Sequence, residues 1–167
     1  MQYDSRHSQP PSPVEPEGFF TGVEIRPLII GVVMDHIATY AMMFAYYFAY
    51  VMPKFGGNGE IDPDKVSQFM LTSEGLTAGM VIGVLGTMIG GMVAGYKAGA
   101  YEVKHGGLVG AGSLLVAFIQ QSLAEETLPV PDWYRTLGVI LAMPAGAIGG
   151  YIASLLKDNR YLRGGRD

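Results

Sequence analysis

The chain has 167 residues, the size of one domain, and its balance is that of a membrane protein: charged residues are 16% against ~25% in an average soluble protein. Apolar residues reach 49%, and glycine contributes 24 positions where average usage of ~7% would give about twelve. A formal net charge of −4 supplies no large cationic surface and argues against nucleic acid as a partner, and zero cysteines exclude disulfides, thiolate metal sites, Fe–S clusters and cysteine nucleophiles. The mean hydropathy is only +0.26 because the charges are segregated into the two ends and three short windows between long uncharged stretches.

Residues 1–24 read as a polar arm. Within it, Gln9 to Gly18 (QPPSPVEPEG) carries four prolines and no apolar period, so by itself it is an extended or disordered segment.

The first of four apolar windows runs from about Leu28 to Met52, bounded by Arg26 and Lys54. At ~1.5 Å rise per residue, ~20 apolar residues cross a hydrocarbon core of ~30 Å, so this window is long enough to span. It is too long for a signal-peptide h-region and follows a polar tail, so it is expected to remain in the mature protein. Asp35 is its only acidic residue and lies nine positions after Arg26, about 13 Å into the helix. An ionised carboxylate at that depth costs several kcal/mol unless paired, and no Lys or Arg lies within any span. Asp35 must therefore be protonated or neutralised, by His36 as imidazolium or through hydroxyls such as Thr39, Thr87 or Ser113. An intramembrane acid is by default a candidate proton relay or cation site. A hydrogen-bonded packing role and pairing with another subunit's base are the competing readings. His36 beside it is expected to be a buried hydrogen-bonded histidine or one facing a neighbouring protein, with ligation of haem or a pigment as the minor alternative. No metal site and no cofactor are required by the sequence. The run from Tyr40 to Met52 (YAMMFAYYFAYVM) is bulky on every face, which suits a helix at the edge of its own bundle. Hydroxyls in lipid lack partners, so Tyr46 or Tyr47 is expected to meet protein or a cofactor. Tyr50, near the end of the window, is read as an interface anchor.

The first connection carries Glu60, Asp62, Asp64 and Glu74, and its Asp62-Pro63-Asp64 marks a turn or helix start. The second window, Gly75 to Tyr96, has no charge. Gly79 and Gly83 are four apart, as are Gly86 and Gly90, and Gly91 and Gly95 continue at the same interval. Small residues at this spacing let helix backbones approach closely in lipid, where hydrophobic association is weak, so this helix is expected to be central. The third window, Gly106 to Ala124, contributes Gly106 and Gly110. The fourth, Thr136 to Leu156, contributes Gly146 and Gly150, and Pro144 within it is expected to kink the helix. His105 is expected to cap or orient the start of the third span. Trp133 and Tyr134 stand just before the fourth span as interface anchors. A short internal similarity relates Gly90 to Lys97 with Gly149 to Lys157, as in two parallel helical hairpins.

The N-terminal arm with Arg26, the second connection and the basic tail over residues 159–167 with its leading Lys157 together hold eight Lys and Arg, and the other two connections hold three (Lys54, Lys65, Arg135). The positive-inside rule then puts both termini in the cytoplasm, as an even number of spans requires. The expected fold is an all-α, four-span bundle over residues 25–158, in a prokaryotic inner (plasma) membrane.

The pattern resembles a group of small glycine-rich, four-helix bacterial and archaeal membrane proteins of unassigned function. The resemblance rests on Gly31 and Asp35 in the first helix, G-G-x-x-A-G closing the second, His105-Gly106 with Gly110, and G-G-Y in the last. It covers about residues 28–156 and implies a compact four-helix bundle with no activity attached.

No H-E-x-x-H, G-x-S-x-G, Walker A or dinucleotide-binding motif occurs, so an enzyme is not expected. Two classes stay open. The leading one is a non-catalytic accessory or assembly subunit of a larger membrane complex, with respiratory or photosynthetic energy conversion as the candidate setting, that packs through its glycine-rich helix faces, among its own four helices first and against another subunit as the alternative. The other is a small transporter or channel, homo-oligomeric in form, working through Asp35. Membrane lipids are partners in either.

Overall fold

The structure, a computed structural model, describes residue 18 and residues 20–56, 62–124 and 129–164, the last five of these through their backbone alone. Most of the arm expected over residues 1–24 lies outside the described residues, as do Glu60, Glu125, Glu126 and the end of the basic tail. The described residues form helices and no strand.

Helix α1 (Ile25–Tyr46) continues through a π-helical turn (Tyr47–Val51) into α2 (Met52–Phe55), giving one apolar span of 31 residues, longer at both ends than the hydropathy window. A short helix α3 (Pro63–Met70) follows. Asp62 is its N-cap, accepting the backbone N–H groups of Asp64 (3.1 Å) and Lys65 (3.4 Å), with Pro63 in the first turn where a missing donor costs nothing. The backbone donor of Lys65, above all, holds the Asp62 carboxyl below its ordinary range. Helix α4 (Ser73–Lys97) is capped by Thr72, whose hydroxyl accepts the N–H of Gly75, and it carries Glu74 in its first turn and Lys97 in its last, both favourable to the helix dipole. Helices α5 (Glu102–Leu123) and α6 (Asp132–Gly164) complete the bundle, α6 running unbroken through Pro144 and well past Leu156. Among the described residues four helices are long and apolar enough to cross a membrane, and the chain is an integral membrane protein.

The four long helices run up, down, up and down. Helix α4 packs against the other three, and α1 and α6 each pack against both α4 and α5. Close approach near the chain termini depends on missing side chains. A Cβ added at Gly91 or Gly106 would run into the backbone carbonyl of Gly146, and one at Gly110 into that of Ala142. A Cβ at Gly150 would strike the backbone of Glu102, and one at Gly95 would crowd Ala153 (3.1 Å). On the other side of α4, Gly90 meets Gly31 and Asp35. Gly90, Gly91, Gly95, Gly106, Gly110, Gly146 and Gly150 thus pack the protein's own helices together.

Helix α1 has two opposite stripes. Pro27, Gly31 and Asp35 are buried, whereas Ile29, Val33, Ile37, Tyr40 and Phe44 are all more than half exposed, which places α1 at the edge of the bundle with an apolar face outward. Tyr46 stacks on Tyr50 (ring centroids 5.4 Å apart) rather than facing outward alone.

Candidate functional site

Each end of the bundle is closed by a different set of polar contacts. At the terminal end, the turn between α4 and α5 is four residues, Ala98 to Tyr101, and Tyr101 reverses the chain in the left-handed conformation (φ 57°), at roughly 1–2 kcal/mol for a residue with a Cβ. Its ring lies against Gly22, itself at φ 74°. Fully buried His105 joins this turn to α1: its Nδ1 is 3.0 Å from the Tyr101 carbonyl, and its Nε2 accepts the backbone N–H of Glu24 (2.9 Å). These partners assign the Nδ1–H tautomer. The Glu24 carboxylate accepts the N–H of Gly99 (2.7 Å), and Lys157 donates to the Ala98 carbonyl and pairs with Glu102 (2.9 Å). His105 therefore orients both α5 and the entry to α1. The roles of Glu24 and Lys157 are not legible from spacing, because their partners lie 75 and 55 to 59 positions away.

At the opposite end, Tyr50 donates to Glu74 and Lys54 pairs with Glu74 (2.9 Å), with the Lys54 ammonium 4.6 Å from the ring centroid of Phe69. Tyr50 thus ties α1 to α4. Trp133 is half exposed, edge-on to Tyr134.

Between these ends lies the polar site. Asp35, 4% exposed, fits against α4 because Gly86 and Gly90 leave space there: a Cβ on Gly90 would lie 2.7 Å from that of Asp35. Thr39, one turn along α1, donates to Asp35 Oδ1 (3.2 Å). Thr87 on α4 lies 3.2 Å from Oδ2 and 3.0 Å from the Gly83 carbonyl. A hydroxyl has one proton, so Thr87 can donate to only one of the two. When it donates to Gly83, its contact with Asp35 requires a proton on the carboxyl group; when Asp35 is ionised, Thr87 can turn to donate to it.

From Asp35 a cavity of about 310 Å³ extends among all four long helices toward Gln120 and Tyr134, at the end of the bundle that carries the first and third connections. Gly83 and Gly138 face open space within it, since a Cβ on either would meet nothing within 4 Å. Gly79 lies beside the Tyr134 hydroxyl. His36 also lines the cavity, its Nδ1 2.9 Å from the Val32 carbonyl, an arrangement that leaves Nε2 as an acceptor in the neutral ring. Ser113 on α5 lines it too, and its buried Oγ has no hydrogen-bond partner. Among the described residues no three His, Asp or Glu side chains converge to hold a metal ion.

The sequence-derived candidates therefore divide. Asp35, His36, Thr39, Thr87, Gly79, Gly83 and Tyr134 meet at the cavity, while Gly91, Gly95, Gly106, Gly110, Gly146 and Gly150 form the packed half beyond it. Gly138 and Gln120 join the cavity without any signal in the sequence beyond being small or polar in an apolar helix.

No curated protein and no solved structure matches the chain. The profile of the DUF3792 family, described as proteins of unknown function, matches residues 66–153, from within α3 to beyond the middle of α6. The match holds Thr87 and Ser113 but not α1 with Asp35. Because it covers more than half of the chain, this integral membrane protein belongs to the DUF3792 family.

Proposed function

We propose that the protein is a small membrane transporter whose working group is Asp35, loaded from the end of the bundle that carries the first and third connections. The observation that carries this reading is the cavity. It runs from the level of Gln120 and Tyr134 to a buried carboxyl group and stops where the glycine-packed half of the bundle begins. An acid at membrane depth is costly to maintain, and one at the floor of an accessible, largely apolar cavity has the placement of a binding group. With both termini in the cytoplasm, as the Lys and Arg distribution argues, the cavity opens to the outside.

The competing reading is an accessory subunit of a larger complex, such as one of energy conversion. It draws on the exposed aliphatic and aromatic stripe of α1, which offers a face to a neighbouring chain as readily as to lipid. It draws less on the glycines, since most of them are occupied by contacts within the chain.

Reconstitution separates the two. In liposomes holding only this chain, substrate-driven proton flux is expected and is lost in Asp35→Asn. A protein silent in liposomes that leaves its native membrane in fixed stoichiometry with unrelated chains would refute the transporter reading.

A further inference from the structure

We infer that the cavity takes a small organic ammonium ion with an apolar body, in exchange for the proton of Asp35. The inference rests on the reading of the cavity as the working site, and it names the ligand class.

Charge narrows the choice first. Among the described residues, the titratable groups lining the cavity are Asp35 and His36 and, on two different helices, Tyr40 and Tyr134; neither α4 nor α5 adds one, and no described Lys or Arg lines it. An anion would face a carboxyl group with no described Lys or Arg to receive it. A bare divalent ion is equally unsuited, because calcium takes six to eight oxygens at about 2.3–2.6 Å and Asp35 is the only carboxylate among the described residues that line the cavity. The walls are instead apolar, with Met80, Val84, Leu114 and Ala117, and the volume of about 310 Å³ is at the lower end of small-molecule sites, which run from roughly 300 to 1,000 Å³.

A primary ammonium group has three donors. The polar part of the cavity offers acceptors at Asp35, at the unpartnered Oγ of Ser113 and at Nε2 of His36, and Tyr40 and Tyr134 add aromatic rings to its lining. Ser113 is the independent observation: it is nine-tenths buried, and its Oγ lacks the partner that buried hydroxyls in native proteins nearly always have.

Thr87 supplies the exchange. Its hydroxyl can donate to the Gly83 carbonyl while it accepts the proton of an Asp35 carboxylic acid, the form from which the exchange starts. On binding, that proton leaves to water, Thr87 turns to donate to Oδ2, and the ammonium pairs with the carboxylate. The step takes the neutral Asp35 carboxylic acid and one organic ammonium cation to an ion pair of carboxylate and ammonium, with one proton released to water. The net charge at membrane depth rises by none through the pair itself, and no isolated charge is buried.

The test uses the full chain in nanodiscs with benzylammonium, and with benzyl alcohol and benzoate as neutral and anionic counterparts of similar shape. Trp133, the only tryptophan, stands beside Tyr134 at the cavity and reports binding by fluorescence. Titration in weak buffer counts protons. Benzylammonium is expected to bind saturably with about one proton released, Ser113→Ala to weaken it on the order of tenfold, and Asp35→Asn to abolish it. Gly83→Leu, which extends into open space, is expected to block binding while the protein stays folded, so the test survives if Asp35→Asn fails to fold. Benzyl alcohol binding as tightly as benzylammonium, or binding without proton release, would overturn the ammonium inference and leave the cavity as the working site. If none of the three probes binds and Gly83→Leu does not alter liposome flux, the ammonium inference and the cavity reading both fail.

Discussion

The two halves of this bundle are built from the same residue types to opposite ends. Near the termini, glycines on α4, α5 and α6 face backbone atoms and leave no room for a methyl group; toward the first and third connections, Gly83 and Gly138 face nothing within 4 Å. Glycine at four-residue spacing therefore does not by itself mean close packing. What decides is whether the facing helix also brings small residues to the same level. Gly91 and Gly146 meet, as do Gly106 and Gly146, but Gly83 lies at the level where the cavity occupies the space between helices.

The largest effect expected from breaking this contrast is at Gly110. Gly110→Leu would force α5 from the backbone of Ala142 and destabilise the bundle by about 3 kcal/mol or more, seen as loss of the monodisperse folded peak or a large fall in unfolding midpoint in detergent. A smaller loss is expected from Lys157→Met, which removes both a donor from the Ala98 carbonyl and the partner of Glu102. With both side chains about four-fifths buried, the cost is about 1–3 kcal/mol. Adding Glu102→Gln should recover part of it in a double-mutant cycle. The smallest effect, and of opposite sign, belongs to Gly83→Ala: a methyl group in open space within a helix should stabilise by about 0.5–1 kcal/mol, and a destabilisation there would mean that the cavity closes in the membrane.

Much of the architecture was legible from hydropathy, because a helix in lipid must hold ~20 apolar residues whatever its neighbours do. The four spans and the cap at Asp62 follow from local rules. Which helix each glycine serves does not, since spacing along one helix says nothing about what it faces, and the contacts of Gly91, Gly106 and Gly150 within the chain emerge only from the fold. Asp35 was legible as costly and Thr39 as its neighbour one turn away, because both arguments are local. Thr87, 52 positions away, was one hydroxyl among several until the fold placed it. Depth in the membrane pairs Ser113 with Asp35 as readily as any other hydroxyl, yet in the fold its Oγ has no hydrogen-bond partner. The hydrogen bonds of Glu24, His105 and Lys157 at the terminal end depend equally on helix pairing, and only the general expectation that His105 orients α5 could be formed in advance.

The π-helical turn at Tyr47–Val51 bears on how the gene can change length. An α-helix turns about 100° per residue, so an unbroken helix would set Val51 about 160° around from Asp35, on the outward side. A turn that absorbs one extra residue brings it back to within about 60°, and Val51 is in fact 1% exposed. The turn is therefore a slot that can give up one residue. Losing one codon here would let the span close into a regular α-helix, with Val51 still inward and Lys54 and Phe55 still toward Glu74 and Phe69. The same loss in α4, which has no such turn, would rotate everything beyond it by about 100° and pull its glycines out of register with their neighbours.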